Sequence, residues 1–209
     1  MKPRFTKLVS LSTIALIGLL LTSCASNKAP EISVNTAAWK QNQTKLNTID
    51  SWRSEGRIAV SKKNEGESAS FIWNQFPEQF LLKLFGPFGS GAMELEGTLS
   101  GPNKQVILRQ GNKTSYAVTA EDLLYKQVKW RLPISGLKHW VKGVPIPDQP
   151  TEQLILNADG TLKKVNQLGW EITYSKYSKF ENIRLPSKIH LQNNDLEVKL
   201  VIRSWSRIN

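Results

Sequence analysis

The chain has 209 residues, of which 40% are hydrophobic, and a formal net charge of +11. This length suits one domain with a leader, and the apolar content is enough for a real core, which excludes a wholly disordered chain. Basic balance suits nucleic acid or an anionic membrane surface. However, no basic run of five residues, no zinc spacing and no helix with Arg and Lys on one face accompanies it, which argues against nucleic acid, and the single cysteine excludes an internal disulfide.

Residues 1–23 read as a secretory signal. Lys2, Arg4 and Lys7 form its positive end, and an apolar stretch from Leu8 to Leu21 follows, short for a spanning helix. It runs into Leu21-Thr22-Ser23-Cys24, which resembles a bacterial lipobox: an aliphatic residue and two small ones before a cysteine. In that class the thiol receives a diacylglyceryl group, the leader is cleaved and the new amino terminus is acylated. The motif therefore predicts covalent diacylglycerol and an N-acyl chain on Cys24, and no other cofactor. A plain signal peptide with a chance cysteine is the alternative. Each buried methylene of such chains adds roughly 0.8 kcal/mol, so the anchor would be firm. Ala25, not Asp, follows Cys24; by resemblance to Gram-negative lipoproteins, this implies release to the outer membrane, on its periplasmic face. Without the leader the charge falls to about +8. Residues 24–35 are small, polar and Pro-broken, as a tether would be, and residues 36–209 form the domain.

Residues 36–50 are predicted to be helical, with Thr36 as N-cap and a thin stripe of Trp39, Leu46 and Ile49. From Trp52 the period becomes two. Trp52, Ile58 and Val60 alternate with Arg53, Glu55 and Arg57. Residues 68–75 form a second strand, with Phe71 and Trp73 on one face. Phe80, Leu82 and Leu84 share a face of the third, and Met93 and Leu95 oppose Glu94 and Glu96 in the fourth. The turn between the third and fourth, Gly86-Pro87-Phe88-Gly89, has the usual Gly and Pro punctuation but carries a Phe that no turn geometry requires. That ring either folds back on the sheet or stands out as an apolar finger for a membrane. Residues 105–109 and 113–119 make another hairpin. Each strand has one dry and one polar face, the pattern of an antiparallel sheet with a single buried side.

Next, Thr119 with Asp122 three residues on reads as a helix start, followed by Leu123, Leu124 and Val128 on one side. After Pro133, Ile134, Leu137, Trp140 and Val141 form a second helical face, which Gly143 and Pro145 end. The place to bury both faces is the dry side of the sheet, as a plug. Strands resume at 152–157, 161–167, 169–176, 186–192 and 196–205, for about eleven in all, more than a flat sheet usually holds without curling. The expected fold is mainly β with inserted helices: a strongly curved antiparallel sheet capped by the helical plug, an open or a closed barrel. A transmembrane barrel fits poorly, because its apolar face would look outward.

Catalytic chemistry is hard to find. His139 stands beside Trp140 in the plug, and His190 lies on the polar face of its strand. The glycines of Phe88-Gly89-Ser90-Gly91-Ala92 are misplaced for a nucleophile elbow. No metal-ligand spacing occurs, and Glu94 and Glu96 read as a solvated face, not a glycosidase pair. No enzyme is expected. A tethered periplasmic lipid hydrolase or acyltransferase, and a structural lipoprotein that binds cell wall or assembly machinery, remain as rivals.

With these parts placed, the chain resembles the LolB family of outer-membrane lipoproteins over nearly all of its mature length. The residues that carry the resemblance are Trp39 and Gln41, Gly56, Phe71-Ile72-Trp73, Leu81 through Ser90, Glu94-Leu95-Glu96, Pro133-Ile134 with Leu137 and Trp140, Gly143-Val144-Pro145, Ile172-Thr173-Tyr174 and Leu200 to Trp205. No single piece is very specific, but their order and spacing together with the lipobox are. The resemblance implies an incomplete, unclosed antiparallel barrel of about eleven strands with a helical lid over an apolar cavity, a half-barrel monomer that receives client lipoproteins from the periplasmic carrier LolA. It would insert their acyl chains into the inner leaflet of the outer membrane, in contact with its phospholipid. It also implies that Pro87, Phe88 and Gly89 form the membrane-insertion loop; the family often has Leu where Phe88 stands. Trp52, Ile58, Leu82, Leu84, Met93, Leu95, Trp140 and Trp170 are expected to wall or plug the acyl-chain cavity, though each would equally serve as plain core.

Overall fold

A computed structural model describes residues 36–63, 65–86, 91–98 and 104–208. The leader, Cys24, the tether and Pro87-Phe88-Gly89 lie outside the described residues.

Helix α1 spans Thr36–Asn47. It stops short of the predicted residue 50, and Thr36 is its first helical residue, not its cap. The end of the helix is bonded from a residue remote in sequence. The Lys142 ammonium, buried to 8% exposure, donates to the carbonyls of Leu46 and Ile49 at 3.3 and 2.8 Å. The Leu46 carbonyl belongs to the last turn, where a cation satisfies a group that a helix end leaves orphaned and complements the helix dipole, while the Ile49 carbonyl lies two residues past the helix.

Eleven strands follow in one antiparallel sheet. They are β1 Trp52–Lys62, β2 Glu65–Gln75, β3 Gln79–Phe85, β4 Met93–Thr98, β5 Val106–Gln110 and β6 Lys113–Ala117, then β7 Gln153–Leu156, β8 Leu162–Gln167, β9 Trp170–Phe180, β10 Ile183–Gln192 and β11 Glu197–Arg207. Their order is β6-β5-β4-β3-β2-β1-β11-β10-β9-β8-β7, so the amino-terminal and carboxy-terminal meanders join through β1 and β11. Strands β6 and β7 are the two edges and do not pair, which leaves the barrel unclosed. The strand period was legible, but several ends were not. Residues 65–68 are all exposed and show no alternation; pairing of Glu65 with Lys62 builds that part of β2. Strand β10 begins before Pro186, because the β9 register slips between Pro186 and Lys188, and a proline without an N–H is tolerated at a bulge. A second slip, between Glu55 and Gly56 on β1, brings the backbones so close that a Cβ on Gly56 would lie 2.1 Å from the Val201 carbonyl oxygen.

Between the edges the chain crosses the dry face as two helices, α2 Ala120–Val128 and α3 Ile134–Trp140. Thr119 caps α2 as predicted, its hydroxyl accepting from the Asp122 N–H at 3.1 Å. Glu121 then accepts from the Ser135 N–H and hydroxyl at 2.9 and 2.8 Å, tying α2 to the start of α3. Leu123 and Leu124 of α2 and Ile134, Leu137 and Trp140 of α3 join one core with inward residues of both meanders, among them Phe71, Trp73, Leu95, Val165, Ile172 and Val198. Among the described residues no helix is long and apolar enough to cross a membrane.

The strongest fastening of the plug is polar. Gln167, at the end of β8, is 0% exposed. Its carbonyl accepts from Trp140 Nε1 and the Ile146 N–H at 3.0 and 2.9 Å, and its amide nitrogen donates to Ile146 O, Gln149 O and Thr151 Oγ1 at 3.2, 3.3 and 3.0 Å. Tyr174 adds a bond from its hydroxyl to the Trp140 carbonyl at 2.9 Å. Replacing Gln167 by Met keeps much of the volume but strands the Trp140 and Ile146 donors in a dry site. The expected loss is about 3 kcal/mol, read as a lower urea midpoint at unchanged slope.

Candidate functional site

Antiparallel pairing throughout sends the turns alternately to two ends of the sheet. The β1–β2, β3–β4, β5–β6, β8–β9 and β10–β11 turns share one end, called here the mouth. At the mouth a cleft of about 600 Å³ opens between the sheet and the plug. Its walls are Ile58, Val60, Ala69, Leu84 and Met93 from the strands and Leu124 and Trp130 from the plug, with Glu67, Ser68 and Gln110 as polar rim. Gly86 and Gly91, the two ends of the finger turn, lie on the same rim. Ligand pockets usually measure roughly 300–1,000 Å³, so the cleft has the size of a binding site.

Deeper in, a pocket of only about 40 Å³ lies among Phe71, Trp73, Leu82, Leu132, Ile134, Leu137, Val141 and Leu200. It shares Ile58, Val60, Leu84, Leu124 and Trp130 with the cleft, so the two are stages of one passage. Every residue lining the inner stage is apolar. A void of about 150 Å³ is what admits a molecule the size of benzene, so the inner stage is closed in this state.

Four of the residues expected at the cavity line this passage: Ile58 and Leu84 in both stages, Leu82 in the inner one and Met93 in the cleft. The other four sit in close-packed core. Trp52 lies between the rings of Trp73 and Trp205, each centroid 5.2 Å away. Trp140 is held by Gln167 and Tyr174, and Leu95 and Trp170 are 2% and 5% exposed. The sequence reading missed Trp130. It belongs to the short connector between α2 and α3, outside any periodic element, and the signal available was a large aromatic in a connector otherwise made of Lys, Arg, Leu and Pro. Its position is set by Lys129, which ends α2 in the left-handed conformation at φ 60° and donates its N–H to Tyr125 O. The Tyr125 ring also carries the Arg131 guanidinium 4.1 Å from its centroid, a cation–π contact that steadies the same segment.

The polar outer face is an ion-pair lattice. Glu94 meets Lys83 at 2.7 Å and Arg109 at 3.2 Å, and Arg109 also reaches Glu96 at 2.7 Å. The hydrogen bond from Lys83 holds the Glu94 carboxyl below its usual range against the opposing effect of burial. His190 lies 2.8 Å from Glu197, which Lys199 first and His190 second hold down at a pKa of about 2. At the far end of α3, burial, with Lys138 and Lys142 adding repulsion, brings the His139 pKa down to about 4. Burial and Lys138 bring Lys142 down to about 8, with Asp50 opposing. Among the described residues no group of three His, Cys, Asp or Glu could hold a metal ion.

These features define a class first. The fold is shared with a solved LolA superfamily protein from Nitrosomonas europaea, at TM-score 0.52 and 8% identity, covering 83% of this chain and 93% of that one. A family model described as "Outer membrane lipoprotein LolB" matches residues 50–205. Outer-membrane lipoproteins LolB from Stutzerimonas stutzeri and Nitrosococcus oceani are 34% and 33% identical, over 90% and 93% of this chain and 91% and 96% of theirs. That from Pseudomonas fluorescens is 36% identical over 89% of this chain and 90% of its own length. The chain belongs to the LolB family of outer-membrane lipoproteins.

The depressed His139 pKa fixes a pH dependence. Between about pH 4 and the ordinary value of 6.5, the unfolded chain binds a proton that the folded one refuses. Stability should therefore fall as pH drops through that window. In melting temperatures measured across it, His139→Gln should show a shallower fall than the parent.

Proposed function

We propose that this protein receives lipoproteins from the periplasmic carrier LolA at the outer membrane and inserts their acyl chains into the inner leaflet without catalysis. The observation that carries the reading is the two-stage apolar passage, a cleft of about 600 Å³ leading to a closed inner stage, with the finger's ends on its rim. A client's acyl chains are insoluble and need a dry container, but they must also leave. Walls without fixed polar contacts hold chains of varied length and release them readily, because entry and exit exchange one apolar environment for another. Delivery then needs only a small affinity difference and no nucleotide.

The fastening of the plug is uneven. Helix α3 is locked to β8 and β9 through buried bonds on Trp140. The polar bonds of α2 are exposed, from Gln127 to Ser115 at 3.3 Å and from Ser135 of α3 to Glu121 at 2.9 and 2.8 Å, and the rest of its hold is the apolar packing of Leu123 and Leu124. Weakly held, exposed contacts open first, so α2 and Trp130 are the part that swings aside to admit a chain. Pro87, Phe88 and Gly89 form the loop that enters the bilayer; an aromatic at a membrane interface is physically favourable. Cys24 carries the lipid anchor. Helix α1 roots at the end opposite the mouth, where Asn42 bonds to the Asp159 and Gly160 carbonyls at 3.3 and 3.0 Å. Residues 24–35 can extend at most about 40 Å, comparable with the roughly 36 Å height of β1, so an anchor starting there still lets the mouth face the membrane.

Two measurements test this. A fluorescent fatty acid should bind saturably and be displaced by client acyl chains, and replacing Leu84 with Trp should reduce that binding roughly tenfold by filling the passage; absence of saturable binding would favour a structural lipoprotein. Phe88→Glu should still accept a client from LolA yet fail to insert it into liposomes. Unchanged insertion would remove the loop from the mechanism, and a covalently altered lipid in mass spectra would revive a hydrolase.

A further inference from the structure

Five described residues other than glycine have positive φ: Lys63, Lys129, Asp148, Leu168 and Glu181. Four of them are polar. Leu168, at φ 54°, is the apolar exception and is 51% exposed. It forms with Gly169, at φ 73°, the whole of the two-residue turn that joins β8 to β9, since Gln167 pairs with Trp170. Positive φ at both central positions is the hairpin geometry for which Asn-Gly is the favoured sequence, and a branched, bulky residue there is an outlier. Nothing lies within 4 Å of where a Gly169 Cβ would stand, so the tip projects into open space. A residue that is unfavourable both for the backbone and for solvent calls for a reason outside the fold.

The position of the turn supplies one. It lies at the mouth end, as does the finger turn whose ends are Gly86 and Gly91. Six strand spacings separate the two turns along the sheet, about 29 Å of arc, and they belong to opposite meanders. Leu154, 38% exposed, lies on edge strand β7 next to the same corner.

We infer that Leu168 is a second apolar foot that enters the phospholipid bilayer, so that the mouth meets the membrane at two points. One foot lets the domain pivot about a single loop, whereas two on opposite meanders set the plane of the mouth parallel to the bilayer. The occupant is lipid and not protein, because a two-residue tip exposes far less than the roughly 800 Å² per partner that a specific protein interface buries. Charge does not drive the contact: exposed Lys62, Lys63 and Lys113 at this end are offset by exposed Glu65, Glu67 and Asp195. The inference rests on the delivery reading above.

The test uses the full lipidated chain in vesicles of phosphatidylethanolamine and phosphatidylglycerol. A nitroxide on Leu168→Cys should collide with oxygen more than with a water-soluble nickel chelate. The same label on Val201→Cys, an exposed outer-face site, should show the reverse. Leu168→Asn suits the turn better, so its melting temperature should equal or exceed that of the parent, while client insertion slows roughly tenfold for the loss of one apolar anchor and transfer from the carrier is unchanged. A nitroxide at 168 that stays in water overturns the inference, as does insertion at the parental rate. A Leu168→Asn defect confined to transfer from the carrier also overturns it, because the tip would then be a protein contact. If Phe88→Glu blocks insertion while position 168 proves inert, this inference alone falls; if the parent protein itself neither takes up nor inserts a client, the delivery reading falls with it.

Discussion

Gln167 bonds five ways in a site with no solvent, and the open barrel depends on it. A sheet that does not close leaves a dry face that must be covered, and here the cover is a connector running from edge β6 to edge β7. Apolar contact alone is non-directional and would let such a connector slide. A buried amide with every donor and acceptor matched fixes one arrangement, because any displacement would strand polar groups in a low-dielectric interior. Trp140, Ile146 and Thr151 are thereby held to the end of β8, and Tyr174 repeats the constraint on Trp140 from β9.

The same constraint creates the asymmetry that the proposed delivery of acyl chains needs. One side of the cover is fastened by buried polar bonds. The other, α2 with Trp130, rests mainly on apolar contact and on exposed bonds such as that from Gln127 to Ser115. Apolar contacts can be exchanged for contacts with an acyl chain at little cost, since both are made with hydrocarbon. A plug with one locked and one exchangeable side can admit a long chain without unfolding. The mouth, the finger root and the Leu168 turn lie at one end because antiparallel pairing sends alternate turns there.

Much of the fold was legible from residue pattern. Alternation placed the strands, and Thr119 with Asp122 placed the start of α2, because these signals are local. The strand ends at residues 65–67 and 183–185 were hidden, since exposed residues and a bulged proline carry no alternation. The site was half legible. Ile58, Leu82, Leu84 and Met93 have the same inward alternation as Trp52, Leu95 and Trp170, so a period of two cannot tell a cavity wall from packed core. What separates them is distance from the mouth and from the plug. Trp130 escaped because it sits in a connector, and the anomaly of Leu168 needed its φ angle.

The sequence by itself determined the outline: a basic domain behind a lipobox-like Cys24, a long one-sided antiparallel sheet, two helices able to cover it, and a turn at Phe88 too apolar for its place. These follow from short-range periodicity and from motifs that act within a few residues. Only the tertiary structure decided that the edges stay apart and that Lys142 bonds to the end of α1. It alone decided that Gln167 is the clasp, and that the interior is shut at its depth but open at its mouth. Those features join residues far apart in the chain, such as Lys142 with Ile49 and Gln167 with Trp140. They arise from matching buried donors to acceptors and volumes to neighbours, a condition that exists only once the chain has closed around its core.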